Sequence, residues 1–334
     1  MSEVITLAHG SGGTLTHELI NKIFYKHFQN DLLDSENDAA VFNAEGKMAF
    51  TTDSFVITPV FFKGGNIGKI SVCGTVNDLA SMGAIPKYLS CGFIIEEGLK
   101  FSELERIVEA MAETAKKAGV KIVTGDTKVV GKGACDKVFI NTAGIGFIPE
   151  GRVTGGNMAK PGDKVILTGF MGDHGTSILL EREDMGISAD LSSDCAPLNG
   201  LVEKIYEVTS NAHVLRDPTR GGVATTLNEI ASQSGVDIKL YEEKLPVRDE
   251  VQGICDMLGM EPIYMANEGK MLVIVPGDVS EKVLDAIRSH EYGVNAEIIG
   301  DVLESKSPRV LLKTYSGGTR VVDMLTGDQL PRIC

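Results

Sequence analysis

This sequence predicts an α+β fold in two domains, each a mixed sheet covered by helices, and three observations predict it. Apolar residues recur at helical spacing in some segments and in short strand-like runs in others, and the two kinds are interleaved along the chain. At 334 residues the chain is long for one domain and comfortable for two. The stretch from Gly151 to Gly156 reads as a linker. It divides the chain into residues 1–150 and 151–318, with a mobile tail expected over 319–334.

Apolar residues make up 43% of the chain and charged residues 23%, enough for a sizeable core under a solvated surface. The net charge of −14 argues against a general nucleic-acid binder and against a protein resting on an anionic membrane. It leaves nucleotides open as ligands, because a divalent cation can sit between carboxylates and phosphates. The six cysteines, at 73, 91, 135, 195, 255 and 334, form no C-x-x-C pair and no zinc spacing, which reads as free thiols in a reducing compartment. The first residues lack the basic and apolar regions of a signal peptide, and no apolar run is long enough to span a membrane. A cytoplasmic protein is expected.

Residues 7–13 form a glycine-rich lead-in, whose bare amides at Gly10, Gly12 and Gly13 could approach a phosphate. The P-loop lysine is missing, and a plain flexible terminus has the same composition. Leu15, Leu19, Ile20, Ile23, Phe24 and Phe28 predict a helix after Thr14. Two strands are expected at 38–42 and 47–52, joined by a turn at Glu45-Gly46. As an antiparallel pair they would bring Asp38 and Asp53 to one edge, where two carboxylates repel unless a cation lies between them. The bland alternative is that both are turn residues. A helix over 66–82 carries Asn77 and Asp78 in its middle. Both compete there with the backbone, so a polar task for the pair is expected. A strand over 87–95 follows, then a helix opened by a capping box at Ser102 and Glu105 and closed by Gly119. A strand over 120–123 should end in a turn, Thr124-Gly125-Asp126-Thr127-Lys128, that presents a carboxylate and a cation at a sheet edge. Residues 137–148 form the last strand of this half.

The second half opens with a turn at 161–163 and a strand over 164–169. Helices are expected at 174–184, 197–209 and 222–234. The last is preceded by Asp217-Pro-Thr-Arg-Gly-Gly222, where glycine amides at a helix N-terminus favour an anion and Asp217 could carry a metal. An ordinary capped loop would read the same way. Asn267-Glu268-Gly269 is a turn that holds up a carboxylate before a strand over 271–275. A helix over 278–289 and strands at 295–299, 309–313 and 319–322 complete the pattern.

The sequence ends on Leu330-Pro331-Arg332-Ile333-Cys334. Pro331 stiffens this stretch toward an extended form, and little else ties it down. An unperturbed thiol has a pKa of ~8.5, so Cys334 suits a carrier or a substrate better than a self-activated nucleophile. A frayed, incidental end residue is the alternative. Asp38, Asp53, Asp78, Asp126 and Asp217 all fall at element ends or in a polar helical segment beside glycine-rich stretches. As a set they point to magnesium and a nucleoside triphosphate.

The motifs His9-Gly-Ser-Gly-Gly13, Asn37-Asp-Ala-Ala-Val41, Thr52-Asp-Ser-Phe55, Gly74-Thr-Val-Asn-Asp-Leu-Ala80, Thr124-Gly-Asp-Thr-Lys128, Asp217-Pro-Thr-Arg-Gly-Gly222, Asn267-Glu-Gly269 and Pro331-Arg-Ile-Cys334 carry a resemblance. Over essentially the full length the chain resembles the HypE family of hydrogenase maturation proteins. The internal motifs are shared with the wider superfamily of aminoimidazole ribonucleotide synthetase (PurM-like) and selenophosphate synthetase. The resemblance implies an ATP-dependent dehydratase. A partner, HypF, carbamoylates Cys334, the S-carboxamide becomes a thiocyanate, and the cyano group passes to iron on a HypC–HypD complex for [NiFe]-hydrogenase. It implies Asp38, Asp53, Asp78 and Asp217 as magnesium and phosphate residues, helped by Thr75 and Asn77. Thr124, Gly125, Asp126 and Lys128 would lie near the triphosphate, under the segment Gly10 to Gly13. Glu268 is the expected base, with Lys128 sharing its role, and a homodimer with a shared barrel is implied. Selenophosphate synthetases carry a reactive Cys or selenocysteine and a Lys in the early glycine-rich segment. This chain has neither, which argues against that activity. Two other readings remain open on the residues alone: another ATP-dependent enzyme of the superfamily with Cys334 incidental, and a non-catalytic scaffold whose tail docks a partner.

Overall fold

The computed structural model describes residues 4–11, 14–35, 39–182, 189–325 and 332–334. In the first half α1 (Thr14–Leu19) runs through a wider π-turn at Ile20–Tyr25 into α2 (Lys26–Phe28). Then come β1 (Lys47–Phe55), the short pair β2 (Phe61–Phe62) and β3 (Gly65–Asn66), α3 (Ile67–Ser81), β4 (Ile85–Glu96), α4 (Phe101–Ala118), β5 (Lys121–Val130) and β6 (Val138–Ile148). The second half runs β7 (Asp163–Leu167), α5 (Asp173–Arg182), α6 (Asn199–Val208), β8 (Val214–Arg216), α7 (Gly222–Ser234), β9 (Val236–Tyr241), α8 (Asp249–Leu258), β10 (Leu272–Pro276), α9 (Ser280–Arg288), β11 (Glu297–Glu304), β12 (Val310–Lys313) and β13 (Thr319–Val322).

The first sheet has the order β1-β6-β4-β5, antiparallel except for the parallel β4–β5 pair. The second has the order β13-β12-β9-β11-β7-β10-β8, antiparallel except where β12 runs parallel to β9. Both are mixed sheets, and the chain is α+β. The second sheet is covered on both faces. Val165 and Leu167 of β7 face the core under α7, while Ile166 between them faces the core under α6 and α9. Strands buried on both sides read as unbroken apolar runs, which is why 164–167 and 271–275 stand out in the sequence. The first sheet is covered on one face only, by α3 and α4, so its strands alternate between buried and exposed residues.

Three local expectations fail. Residues 39–46 form no strand, so the hairpin expected over 38–52 is absent, and β1 pairs with β6 from the end of the domain. A non-local partner with a better apolar face displaces the local one. The capping box at Ser102 does not form: the N-cap is Lys100, two residues earlier, without a side-chain cap, and Glu105 binds Lys26 instead. Nor does β5 end at Thr124. It runs on through Gly125 and Asp126 to Val130, because β4 continues beside it and offers partners as far as Glu96. Four strands and a helix went unread in the sequence: the short pair β2 and β3, then β8, β9 and α8.

The chain end also differs from expectation. Residues 319–322 are β13, paired in the sheet rather than part of a tail. The last three residues are strapped down. The Val56 amide donates to the Cys334 carbonyl at 3.0 Å, and the Thr58 amide donates to the Arg332 carbonyl at 3.3 Å. The Arg332 guanidinium returns a bond to the Val56 carbonyl at 2.8 Å and pairs with Asp136 at 3.0 Å. Ile333 is buried in the first core.

Candidate active site

Where the two halves meet, a cleft of about 390 Å³ is lined by Thr51, Asp53, Gly74 and Asp78 on one side and by Arg216, Asp217, Thr219, Arg220 and Glu268 on the other, with Cys334 at its wall. Four of the expected carboxylates and the expected carrier cysteine therefore share one space. β1 presents Asp53 on the helix-covered face of its sheet. The middle of α3 presents Asp78, which accepts a hydrogen bond from the Thr51 hydroxyl at 2.8 Å. Asp217 leads into α7.

The Asn267-Glu268-Gly269 turn is held at every residue. Asn267 is fully buried; its amide nitrogen donates to the carbonyls of Pro218 (2.9 Å) and Met265 (3.0 Å), and its oxygen accepts the Gly172 amide at 2.8 Å. The Glu268 amide donates to the Asp194 carboxylate at 3.1 Å. At Gly269 a Cβ would fall 1.8 Å from the Asp194 carbonyl oxygen, so no side chain fits there. Asn77 braces the same turn from α3. Its nitrogen donates to the Ala196 carbonyl (3.1 Å) and lies 3.4 Å from the Glu268 carbonyl, and its oxygen accepts the Leu198 amide at 2.8 Å. The polar task expected of Asn77 is thus structural: it fixes the loops that carry the cleft.

The electrostatics follow from crowding. Burial pushes the carboxyls of Asp53 and Asp78 above the usual range, and Asp53 adds to the effect on Asp78. Asp217 is pushed up to about 7, by burial first and then by Asp78. Glu268 is pushed well above its ordinary value by burial, with Asp217, Asp194 and Asp53 adding repulsion. Its Oε1 is buried and has no hydrogen-bond partner among the described residues. Of the two cations, Arg216 pairs with Glu229 at 2.6 Å, and Arg220 stands exposed at the cleft, where it pulls Asp53 and Glu268 down. Among the described residues no three His, Cys, Asp or Glu side chains converge as a closed metal cage. A hard divalent cation that brings phosphate oxygens with it needs only one or two carboxylates. Crowded, hard oxygen donors whose repulsion a cation would relieve fit such an ion.

The remaining expected residues lie elsewhere. Thr75 is buried and faces the Thr142 hydroxyl at 2.5 Å, away from the cleft. Asp53, Thr142, Cys91 and Gly125 form one row across the whole first sheet. Thr124, Asp126 and Lys128 belong to the alternate positions, so they project from the uncovered face, opposite to Asp53. Lys128 pairs with Asp126 at 2.7 Å, and neither lines the cleft. Gly10 sits against β5, where a Cβ would meet the Val129 amide at 2.7 Å. Asp38, Gly12 and Gly13 lie outside the described residues. Sequence reasoning missed Thr51, Arg216 and Asp194. Arg220 stood inside a quoted motif, and a cation three residues after Asp217 at the glycine-rich helix start was the signal that could have found it.

Two family models match the chain: the N-terminal domain of AIR synthase related proteins over residues 36–148 and the C-terminal domain over residues 160–313. The carbamoyl dehydratase HypE of Azotobacter vinelandii is 48% identical over 331 residues, covering 99% of this chain and 97% of that one. The chain belongs to the HypE family. The crystal structure of hydrogenase maturation protein HypE in complex with ATP superposes with a TM-score of 0.95 at 48% identity, over 98% of this chain and 99% of that one. That of a HypE–HypF complex gives 0.82 at 49% identity, over 94% and 100%. The two-domain PurM-like architecture of the HypE family is therefore the architecture here. No helix among the described residues is long and apolar enough to cross a membrane.

Proposed function

We propose that this chain is an ATP-dependent carbamoyl dehydratase acting on its own Cys334. In the overall change R–S–C(=O)NH2 and ATP give R–S–C≡N, ADP and phosphate. The amide oxygen leaves on the phosphate, and both amide protons are released. One observation carries the reading: Cys334 stands at the wall of the cleft that holds Asp53, Asp78, Asp217 and Glu268.

ATP supplies the phosphoryl group that turns a poor amide leaving group into a good one. Magnesium held by Asp53, Asp78 and Asp217, with Asp38 named by the resemblance alone, would neutralise the phosphates. Glu268 takes an amide proton. Its raised proton affinity makes it a strong base once ionised, and its ionisation depends on how far the neighbouring aspartates are neutralised. The Val56 and Thr58 amides hold the tail by its Cys334 and Arg332 carbonyls, and buried Ile333 anchors it in the first core. Arg220 offers a cation to the developing phosphate charge.

The uncovered face of the first sheet leaves Phe50 (72% exposed) and Met48 (50% exposed) in solvent on β1, with Asp126 and Lys128 on β5 at the opposite edge of that face. Apolar residues exposed on a sheet face support pairing with a second copy there. Such a homodimer would enclose Lys128, Asp126, Thr124 and Gly125, the residues that the resemblance places near the triphosphate. Carbamoylation by a HypF-type carbamoyltransferase and passage of the cyano group to iron on a HypC–HypD complex, in the cytoplasm, complete the proposal.

Intact-mass measurement of carbamoylated protein with magnesium and ATP tests it. The protein should lose the mass of one water, and no loss at full ATP occupancy would leave the scaffold reading in its place. ATP turnover on a separate small molecule by the C334A variant would favour the other superfamily activity.

A further inference from the structure

One buried histidine joins the tail to the loop that seats Glu268. His174, on α5, is fully buried, with its ring edge-on to Phe62 at 5.7 Å. Its Nε2 lies 2.8 Å from the Ile333 carbonyl oxygen, and its Nδ1 lies 2.7 Å from the Ser193 hydroxyl. A carbonyl only accepts, so Nε2 carries the proton and donates. Burial keeps the ring neutral, so Nδ1 is left to accept from Ser193. The Cys195 amide in turn donates to the Ser193 oxygen at 3.2 Å. The chain of donors thus runs in one direction, from Cys195 through Ser193 and His174 to the tail. Between Ser193 and Cys195 stands Asp194, which accepts the Glu268 amide at 3.1 Å and has the Lys270 ammonium 3.2 Å from its other oxygen.

We propose that His174 and Ser193 are positioning residues for the dehydration. Through them the three-residue loop 193–195, which also carries Glu268 on Asp194, fixes the Ile333 peptide, so that Cys334 and Glu268 are registered against one rigid element. The inference rests on the dehydratase reading for its kinetic arm and stands apart from it for its structural arm. His174 touches no reacting atom. It fixes the tautomer and the donor that hold the peptide, as an orienting group does for a catalytic one.

The test uses the full chain and three variants. H174F keeps a flat ring against Phe62 and removes the donor. H174Q restores an N–H near the place of Nε2. S193A leaves Nδ1 without its partner and the tautomer unset. The structural arm is the rate at which iodoacetamide labels Cys334 in the uncarbamoylated protein, read by peptide mapping so that other thiols do not count. H174F should raise that rate roughly two- to tenfold, the value of one lost neutral hydrogen bond. H174Q should return it to the wild-type rate, with S193A between. The kinetic arm is dehydration of carbamoylated protein. H174F should lower kcat about 100-fold at unchanged KM for ATP, the cost of displacing a reacting group by about an ångström, and H174Q should recover most of it. A folded H174F with unchanged labelling and kcat within about threefold of wild type would overturn the proposal. If H174F does not fold, S193A decides on the same two readouts. If wild-type protein never dehydrates, the functional reading fails while the labelling arm still judges the seat.

Discussion

Asp53 and Asp126 stand one row apart in the first sheet and on opposite faces of it. Asp53 looks into the cleft under α3, where burial raises its carboxyl above the usual range and Asp78 and Asp217 crowd it. Asp126 looks outward, where the Lys128 ammonium at 2.7 Å holds it below that range. The covered face gathers negative charge without enough protein cation to balance it. On the open face the charge of Asp126 is balanced by Lys128 beside it. A folded chain tolerates the first arrangement where a ligand completes it or where the buried carboxylates take up protons.

The contrast can be broken most sharply at its buried end. E268Q should cut dehydration by about 1,000-fold while ATP still binds, since a general base is worth roughly 10²- to 10⁴-fold. Activity within tenfold of wild type, by mass shift against time, would move the base elsewhere. On the open face, K128A should lower kcat by about 100-fold, as loss of an electrostatic contact to transferring phosphate does. A change under about threefold would make the Asp126–Lys128 pair an ordinary surface pair, worth at most about 1 kcal/mol.

Two smaller effects read the scaffold and the charge balance. N77A strands the Leu198 amide and the Ala196 carbonyl, so unfolding stability should fall by about 1–3 kcal/mol. Chemical denaturation measures this, and no change would show that the turn holds without its brace. Asp217 titrates at about 7 in the fold, above its ordinary 3.8. Its contribution to stability is therefore complete below about pH 4 and is lost as the pH rises through 7. D217N should raise the Tm of nucleotide-free protein at pH 8 by roughly 2–4 °C and flatten its slope against pH. Magnesium and ATP should raise the wild-type Tm more at pH 8 than at pH 5.5, and an equal rise would argue against a cation among these carboxylates.

Much of the fold was legible because periodicity is local. The span of α7 was read to the residue, and β7 and β10 within one or two residues at either end, since strands buried on both faces leave an apolar run that nothing else explains. The hairpin expected over 38–52 fails for the opposite reason. Which strand pairs with β1 depends on β6, about ninety residues away, and no local pattern carries that choice. The capping box failed because Glu105 found Lys26 across space. In the site, the types of residue were readable and their company was not. The sequence offered Asp53, Asp78, Asp126 and Asp217 as equals, and the alternation of β5, running past its expected end, sends Asp126 to the other face.

The order of the residues by itself determined the two α+β halves, the motifs that mark the HypE family and the candidate set that includes Cys334 and Glu268. The tertiary structure alone decided that three of the aspartates, Glu268 and the final sulfur share a cleft, that Asn77 is a brace, and that the expected loose end is held by Val56, Thr58 and His174. Spacing along a chain fixes which face a side chain takes. Only packing between distant segments fixes what it meets there, and burial then sets its charge.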